Sequence, residues 1–156
     1  MQVAIYGLYL RGRWGIIELL YGYDESVAKW VSEKIGNPDF GLCRAIGVLK
    51  DDNLIAGVVY SNYIESPDGR PIMCEISMAA IDKRWANKYT LNKLFAYPFI
   101  QLKVERVQVS TPVESRGVRK INEKLGFIYE GTARKAHFLG GDVDVLSMLK
   151  HECRWL

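Results

Sequence analysis

Two hydrophobic periodicities follow one another along this chain, and their order constrains the fold more than any other feature of the sequence. Apolar residues at every second position predict β-strands, and apolar residues three or four positions apart predict helices. In order, the patterns predict a strand, a helix, three antiparallel strands, a helix, a strand, a helix and a closing hairpin. Because no linker, repeat or low-complexity segment breaks this order, residues 1–156 are predicted to form a single domain.

Turn and capping residues set the boundaries in the first half of the chain. The apolar run Gly15–Leu20 predicts a strand, and Asp24 is expected to cap the helix that follows it. Asp51–Asn53 is expected to join the apolar runs on either side of it as a hairpin. Pro67–Gly69 then turns the chain into a third antiparallel strand, which is predicted to span Ile72–Ile81.

The second half contains two helical patterns and a second hairpin signal. Pro98 is expected to bend the last turns of the first of these helices, and Gly126 is expected to end the second. Gly140–Asp142 predicts the turn of a closing hairpin whose strands are predicted to span Phe127–Phe138 and Val143–Met148, with a bulge at Glu130 and Gly131. The inward face of the second helix is predicted to consist of Val118, Ile121, Asn122 and Leu125.

Composition and charge exclude several functional classes. Charged residues make up 25% of the chain and apolar residues 49%, which is the composition of an ordinary globular protein. The net charge of +3 comes from basic residues that are scattered among 18 acidic ones, so a nucleic-acid partner is not indicated. At this length, one hydrophobic core is expected to stabilise the chain without disulfides or metals.

The N-terminal residues and the cysteines indicate a cytoplasmic protein without a membrane partner. Val3–Leu10 is apolar, but it is too short to span a bilayer and no basic residue precedes it, so residues 1–15 are expected to be a first strand or an N-terminal extension. The three cysteines lack metal-site or redox-pair spacing and are expected to be reduced thiols. They are Cys43, Cys74 and Cys153.

Several short motifs, taken with the predicted element order, resemble the GCN5-related N-acetyltransferase (GNAT) superfamily over residues 16 to 150. The motifs are Arg84-Trp85, Tyr97-Pro98-Phe99, Leu125-Gly126-Phe127, Glu130-Gly131 and Glu152-Cys153-Arg154-Trp155. Within the superfamily they look most like small acetyltransferases encoded by phages and prophages. The resemblance implies an α/β (α+β) fold with a mixed, mostly antiparallel central sheet, splayed fourth and fifth strands and flanking helices. The resemblance is also compatible with a homodimer.

The resemblance implies acetyl-CoA as the cofactor and places its site at the end of the fourth strand. Main-chain groups there are expected to pair with the pantetheine arm, and the start of the next helix is expected to take the pyrophosphate. The matching residues are Met78, Ala79, Ala80, Ile81, Arg84, Trp85, Asn87 and Lys88. Ala79 and Ala80 are small enough for a close approach of ligand, although small residues are equally typical of a packed strand.

The sequence departs from the superfamily at this helix start, because Lys83–Thr90 contains no glycine. Glycine lets backbone approach phosphate oxygens, so without it the work would pass to side chains. Arg84, Asn87 and Lys88 are able to make charge-assisted or amide hydrogen bonds to a diphosphate. The alternative is an ordinary solvated helix start.

Glu75 is the first candidate for the chemistry of amine acetylation. It lies six residues before Ile81, a placement similar to that of the glutamate that serves as general base in histone-type members of the superfamily. A carboxylate within an apolar strand is costly unless it is used or paired, so a general base and an ion-paired surface glutamate remain alternatives. Ser77 shares the predicted strand face of Glu75 and is a candidate to assist it.

The proton donor is harder to place from the sequence. Many members of the superfamily carry a tyrosine on the helix before the Leu-Gly-Phe motif, and the matching position here is Asn122. An amide can donate a hydrogen bond to sulfur but cannot release a proton, so Asn122 either lines the site or bonds to backbone. The asparagine that the superfamily has near the start of this helix is replaced by Ser115, which is expected to cap the helix and to lie near the cofactor. His137 and His151 have neither metal-site nor triad partners, so no metal site is predicted.

Three functions are compatible with these residues. The first is transfer of an acetyl group from acetyl-CoA to a primary amine of a protein or small molecule. The second is a catalytically weak CoA-binding or interaction module, which the missing glycines and the missing tyrosine favour. The third is a phage acyltransferase that modifies a nucleobase. The acceptor is chosen by loops around residues 21–42, 64–71 and 137–142, whose conformation the sequence does not define.

Overall fold

The computed structural model describes residues 15–37 and 39–156, and the predicted strand at Val3–Leu10 lies outside them. The strands are β1 Ile17–Leu20, β2 Arg44–Lys50, β3 Asn53–Glu65, β4 Pro71–Ala80, β5 Arg106–Pro112, β6 Ile128–Ala133 and β7 Val143–Leu149. The helices are α1 Asp24–Ile35, α2 Lys88–Ala96 and α3 Arg116–Leu125. Short helical turns span Lys83–Trp85, Tyr97–Gln101 and Lys150–Glu152. The predicted order of elements is confirmed.

The strands form one seven-stranded mixed sheet in the order β1-β2-β3-β4-β5-β7-β6. The pairs of β1 with β2, β2 with β3, β5 with β7 and β6 with β7 are antiparallel, whereas β4 and β5 are parallel. This mostly antiparallel sheet with flanking helices confirms the predicted fold class. The sequence did not reveal that β7 lies between β5 and β6.

The parallel ladder between β4 and β5 is short. It pairs Met73 with Arg106, Cys74 with Val107 and Glu75 with Gln108. Beyond these pairs β4 continues to Ala80, and β5 continues to Pro112 along β7. Glu75 therefore occupies the last pair of the ladder.

The described residues divide into two compact units, the first containing 15–37, 39–61 and 77–94, and the second containing 62–76 and 95–156. In the first unit, α1 packs through Val27 and Val31 against Ala45 and Val59 of the sheet. Gly57 makes this close packing possible, because a Cβ atom there would lie 2.6 Å from Cγ2 of Val31 and 3.0 Å from Cγ1 of Val27. Both valines are fully buried and cannot withdraw without moving the helix.

We expect Gly57→Ala to lower the free energy of unfolding, because the added methyl group overpacks the contact between α1 and β3. Overpacking of a well-packed core costs about 1–3 kcal/mol, and chemical denaturation measures it. The matched control is Gly131→Ala, since a Cβ atom at Gly131 would meet nothing within 4 Å. A Gly57→Ala variant as stable as the Gly131→Ala variant would contradict this account of the packing.

The core of the second unit consists of apolar residues from β5, β7 and the helical turn Tyr97–Gln101. Phe99, Val107, Leu146 and Met148 are fully buried. The C-terminal residues close the end of α3, because Trp155 Nε1 donates to the Leu125 carbonyl oxygen at 2.7 Å and the Arg154 guanidinium donates to the carbonyl oxygen of Lys124. These carbonyls lie in the last turn of the helix and have no intrahelical donor, so the tail supplies the missing hydrogen bonds.

Three local predictions, for the end of α3, the bulge in β6 and the bend at Pro98, are confirmed. Gly126 ends α3 in the left-handed conformation with φ 113°, and a register shift between Tyr129 and Gly131 confirms the bulge. The bend at Pro98 takes the form of a π-helical turn in which the Leu102 N–H donates to the Tyr97 carbonyl oxygen at 3.0 Å.

Asp24 does not cap α1, because it is the first residue of the helix and its carboxylate accepts from the Ala45 N–H at 2.7 Å instead. Ile81 follows β4 rather than ending it, and β6 is half the predicted length.

The predicted inward face of α3 is wrong at two positions, since Val118 and Ile121 are 49% and 54% exposed. Only Asn122 and Leu125 of that face are buried. The helix thus presents a narrower face to the sheet than its apolar residues suggest.

Candidate active site

The predicted pantetheine-binding residues lie at the end of β4, in the first unit. The Ile81 N–H donates to the Ile55 carbonyl oxygen of β3 at 2.9 Å, so it is already engaged. Main-chain groups alternate in direction along a strand. Met78 and Ala80 therefore direct their N–H and C=O groups away from β3, where a ligand amide can pair with them. Ala79 packs against the α1 cluster, and Ala80 is exposed.

Arg84 is bound by a neighbouring carboxylate. Its Nε donates to Asp82 Oδ1 at 2.8 Å and to Oδ2 at 3.0 Å, and a second guanidinium nitrogen forms an ion pair with Oδ2. The main-chain N–H of Arg84 also donates to Asp82 Oδ1, at 3.0 Å. Hydrogen bonds from Arg84 hold the pKa of the Asp82 carboxyl well below its usual range. The Arg84 guanidinium, which is predicted to bind a diphosphate, is thus paired with a carboxylate two residues away.

Asn87 begins α2 as a capping residue. Its Oδ1 accepts from the Thr90 N–H at 2.9 Å, and its Nδ2 donates to Thr90 Oγ1 at 2.9 Å and to the Arg84 carbonyl oxygen at 3.3 Å. The first N–H groups of a helix have no intrahelical acceptor. Those of Lys88 and Tyr89 therefore mark the positive end of α2, where no acidic residue stands in the first turn. Lys88 is exposed, whereas Trp85 is buried.

Glu75 lies in the second unit, with its carboxylate between two neutral amides. Asn62 Nδ2 donates to Oε2 at 2.7 Å, and Gln108 Nε2 donates to Oε1 at 3.2 Å. Asn62 belongs to β3 and adopts a left-handed backbone with φ 49°, which is rare within a strand. Both carboxylate oxygens of Glu75 thus have a donor, and neither donor carries a charge.

The hydrogen bonds continue from Gln108 across the sheet. Arg106 Nη2 donates to Gln108 Oε1 at 2.9 Å, and the same guanidinium donates to Glu130 at 2.7 Å and 2.6 Å. Ser147 Oγ donates to Glu130 Oε1 at 2.6 Å. The bonds from Arg106 and Ser147 lower the pKa of the Glu130 carboxyl to about 2. The sequence carries one sign of this network, which is the i, i+2 spacing of Arg106 and Gln108 on a single strand and hence on one face.

Asn122 is buried on the other face of the sheet. It is 4% exposed, and its Nδ2 donates to Thr111 Oγ1 at 3.0 Å. Thr111 and Gln108 are three residues apart on β5, so their side chains point to opposite faces. Glu75 bonds to Gln108 and Asn122 bonds to Thr111, and the two candidate catalytic residues therefore lie on opposite faces.

Ser115 stands at the N-cap position of α3 but does not cap it through its side chain, contrary to expectation. Its carbonyl oxygen accepts from the Arg119 N–H at 3.1 Å, as the backbone of any residue at that position would.

Burial makes Cys74 an unreactive thiol. It lies next to Glu75 on the opposite strand face and is 1% exposed. Desolvation, with a smaller contribution from the charge of Glu75, raises the pKa of the Cys74 thiol to about 12.

Within residues 15–37 and 39–156, no three His, Cys, Asp or Glu side chains come together as a metal site. Among the helices of these same residues, none has both the length and the apolar character that a bilayer crossing requires.

Solved structures of acetyltransferases share this fold at low sequence identity. RimJ of Mycobacterium smegmatis, in complex with CoA-disulfide, is 12% identical with a TM-score of 0.63, over 90% of this chain and 85% of that one. A mutant of the spermidine N-acetyltransferase SpeG of Vibrio cholerae is 17% identical with a TM-score of 0.64, over 90% and 96%. The ribosomal-protein-S5-alanine acetyltransferase of Vibrio fischeri is 19% identical with a TM-score of 0.56, over 82% and 69%.

No protein-family model matches the sequence, and no curated protein does either. The likeness to solved structures therefore establishes the GNAT fold alone. That fold is the one the sequence motifs imply.

Proposed function

We propose that this chain is an acetyl-CoA-dependent N-acetyltransferase that acts on a primary amine. The observation that carries the proposal is the position of Glu75 in a GNAT fold. It occupies the last pair of the ladder between β4 and β5, with its carboxylate held by two neutral donors. Two neutral donors hold this carboxylate in place without the cationic partner that would weaken it as a base.

In this mechanism Glu75 takes a proton from the ammonium form of the acceptor, directly or through one water, so that the nitrogen has a free electron pair. Acetyl-CoA would supply the acetyl group as a thioester, whose C–S bond breaks as the new C–N bond forms. CoA would leave as the thiolate and take up the second proton that the acetylated nitrogen loses, so that the products are the amide and the free CoA thiol. Ser77 follows Glu75 by two residues on β4 and is proposed to assist. Asn122 is proposed to act through Thr111, by fixing the second half of α3 against β5.

The end of β4 and the start of α2 fit the cofactor. Met78 and Ala80 are proposed to bond the pantetheine amides, and Lys88 with the helix-start N–H groups is proposed to take the diphosphate. Ala79, Ile81, Trp85 and Asn87 shape this segment through the contacts described above. Arg84 is proposed to contribute little positive charge to the diphosphate site, because its guanidinium is paired with Asp82. Ser115 is proposed to lie near the cofactor only because of its position at the start of α3.

The clamped Arg84 specifically favours a second candidate function. A helix start without glycine, whose arginine is neutralised by Asp82, suits a module that binds CoA weakly and has little or no activity. Binding and turnover measurements separate the two functions. Spermidine and a peptide beginning with alanine serve as amine probes, because the structural neighbours include acetyltransferases named for such acceptors. The resemblance to phage enzymes supplies no further acceptor.

We expect acetyl-CoA to raise the melting temperature, because a ligand that binds only the folded state stabilises it by about 2.7 kcal/mol at a hundred times its dissociation constant. Lys88→Ala should weaken acetyl-CoA roughly tenfold, since one charged hydrogen bond contributes about 1.5–3 kcal/mol. It should leave S-acetylpantetheine, which lacks the diphosphate, unchanged. Calorimetry with both ligands measures these affinities.

Lys29→Ala is the matched control, because Lys29 is an exposed lysine of α1 that takes no part in the proposed site. Absence of binding by either ligand at millimolar concentration would overturn the cofactor assignment. Equal losses for both ligands in Lys88→Ala would place the diphosphate elsewhere.

A further inference from the structure

A chain of four polar side chains leads from Glu75 to the outermost strand of the sheet. Gln108 stands between Glu75 and Arg106, and Arg106 is bound through two of its nitrogens by Glu130. Gln108 Oε1 accepts from Arg106, which leaves the Nε2 end of the amide to face Glu75. The orientation of the donor to Glu75 is thus set by an arginine that does not touch Glu75.

Arg106 is close enough to Glu75 to be a competing partner. Gln108 lies opposite Glu75 and Arg106 lies two residues before Gln108 on β5, so Arg106 and Glu75 are diagonal neighbours on one sheet face. With strands about 4.8 Å apart and a rise of about 3.3 Å per residue, the Cα atoms of such neighbours lie roughly 8 Å apart, within reach of an arginine side chain. A guanidinium that paired with Glu75 would favour its ionised form and weaken it as a base.

Glu130 prevents this pairing through its position in the bulge of β6. Leu146 pairs with Tyr129 and Val145 pairs with Gly131, so Glu130 is the extra residue of the bulge. Its carboxylate takes the guanidinium of Arg106 on one side and the Ser147 hydroxyl on the other. The low pKa of Glu130, about 2, shows that these partners favour the charged carboxylate.

We propose that Glu130, supported by Ser147, is a positioning residue that holds Arg106 away from Glu75 and thereby keeps Gln108 turned towards the base. Glu75 is then left with two neutral donors, while the charge of Arg106 is balanced at a distance. The proposal rests on the proposed function insofar as Glu75 is the general base. Cys74, the residue before Glu75, is neutral because burial raises the pKa of its thiol.

The direct test follows the titration of Glu75 by NMR in the full chain labelled with ¹³C at the glutamate carboxyl carbons. The Glu75 signal is identified by its loss in Glu75→Gln. Glu130→Gln should move the titration midpoint of that signal to lower pH by about one unit, because the released Arg106 approaches the carboxylate. Arg106→Met in the Glu130→Gln background should reverse the shift.

Glu123→Gln is the matched control. Glu123 also pairs with an arginine, its side chain is 43% exposed like that of Glu130, and it lies on α3 away from this network. It should leave the Glu75 signal unchanged. Ser147→Ala keeps every charge but removes one partner of Glu130, and it should produce a smaller shift in the same direction. This variant decides the proposal if Glu130→Gln fails to fold.

Kinetics with acetyl-CoA and spermidine as the probe amine give a second readout. Glu130→Gln should lower kcat roughly tenfold at neutral pH with the KM for acetyl-CoA unchanged, and Arg106→Met should restore part of the loss. An unshifted Glu75 signal in Glu130→Gln and Ser147→Ala would overturn the positioning role, even in an active enzyme. A shifted signal in a chain without acetyl transfer would support the positioning role and count against the proposed function.

Discussion

Glu75→Gln is expected to lower the turnover number for acetyl transfer by a factor on the order of 10²–10⁴, the range that general acid–base catalysis contributes. Glutamine keeps the shape of the side chain and its place in the ladder opposite Gln108, but it cannot accept a proton at neutral pH. Release of the CoA thiol with spermidine or an alanine peptide measures the turnover. Affinity for acetyl-CoA should change little, since the proposed cofactor residues begin at Met78.

The pH dependence separates loss of a base from loss of structure. The acidic limb of the pH–rate profile should disappear in Glu75→Gln, because no carboxylate then has to lose its proton for activity. Glu123→Gln, an equal change at an exposed position of α3, should retain the limb and the rate. If Glu75→Gln keeps its activity and its profile, a water held by backbone, with Ser77 or Asn122 assisting, becomes the better account.

The sequence predicts the order of elements and the turns because both depend on nearby residues. The turn at Asp51 and Asp52 has positive φ at both residues, and Gly126 has the left-handed φ that ends a helix. Such conformations are read directly from Asp, Asn and Gly in short turns. The network around Glu75 depends instead on register, since its donors Asn62 and Gln108 are 13 and 33 residues away in sequence.

Three polar side chains have partners in the structure that the sequence does not reveal. Asp24 is expected to cap α1, and Arg84 and Asn87 are expected to lie near the diphosphate. Asp24 bonds to the start of β2, Arg84 bonds to Asp82, and Asn87 bonds to Thr90. A polar side chain takes the first well-placed partner that the folded chain offers. Only the fold shows which partner that is.

The second large effect is expected at Asp144, a carboxylate that the sequence analysis did not single out. Its side chain is 6% exposed, and its Oδ2 pairs with Arg119 Nη1 at 3.1 Å. Its Oδ1 accepts from Thr132 Oγ1 at 2.8 Å, and Thr132 Oγ1 also bonds to Tyr129 OH. The guanidinium of Arg119 lies 4.0 Å from the centre of the Tyr129 ring. Asp144 thus links α3 to β6 and β7.

Asp144→Ala is expected to lower the free energy of unfolding by roughly 3 kcal/mol, the lower end of the cost of breaking a buried ion pair. The lower end applies because the Arg119 side chain is 34% exposed and can regain water. For a chain of this size, that loss corresponds to a fall in melting temperature of about 6–12 °C. Asp144→Asn should cost less, because an amide oxygen can still accept from Thr132.

The decisive comparison is with the other carboxylate that binds the same arginine. Glu123 pairs with Arg119 Nε at 3.0 Å from the next turn of α3, but its side chain is 43% exposed. Exposed pairs of this spacing contribute about 0.3–0.5 kcal/mol, so Glu123→Ala should change stability several times less than Asp144→Ala. Equal losses in urea denaturation would mean that burial does not strengthen the Asp144 contacts. The Asp144–Arg119 pair would then contribute no more than a surface ion pair, and the link between α3 and the last two strands would have to come from buried apolar residues such as Leu125 and Leu146.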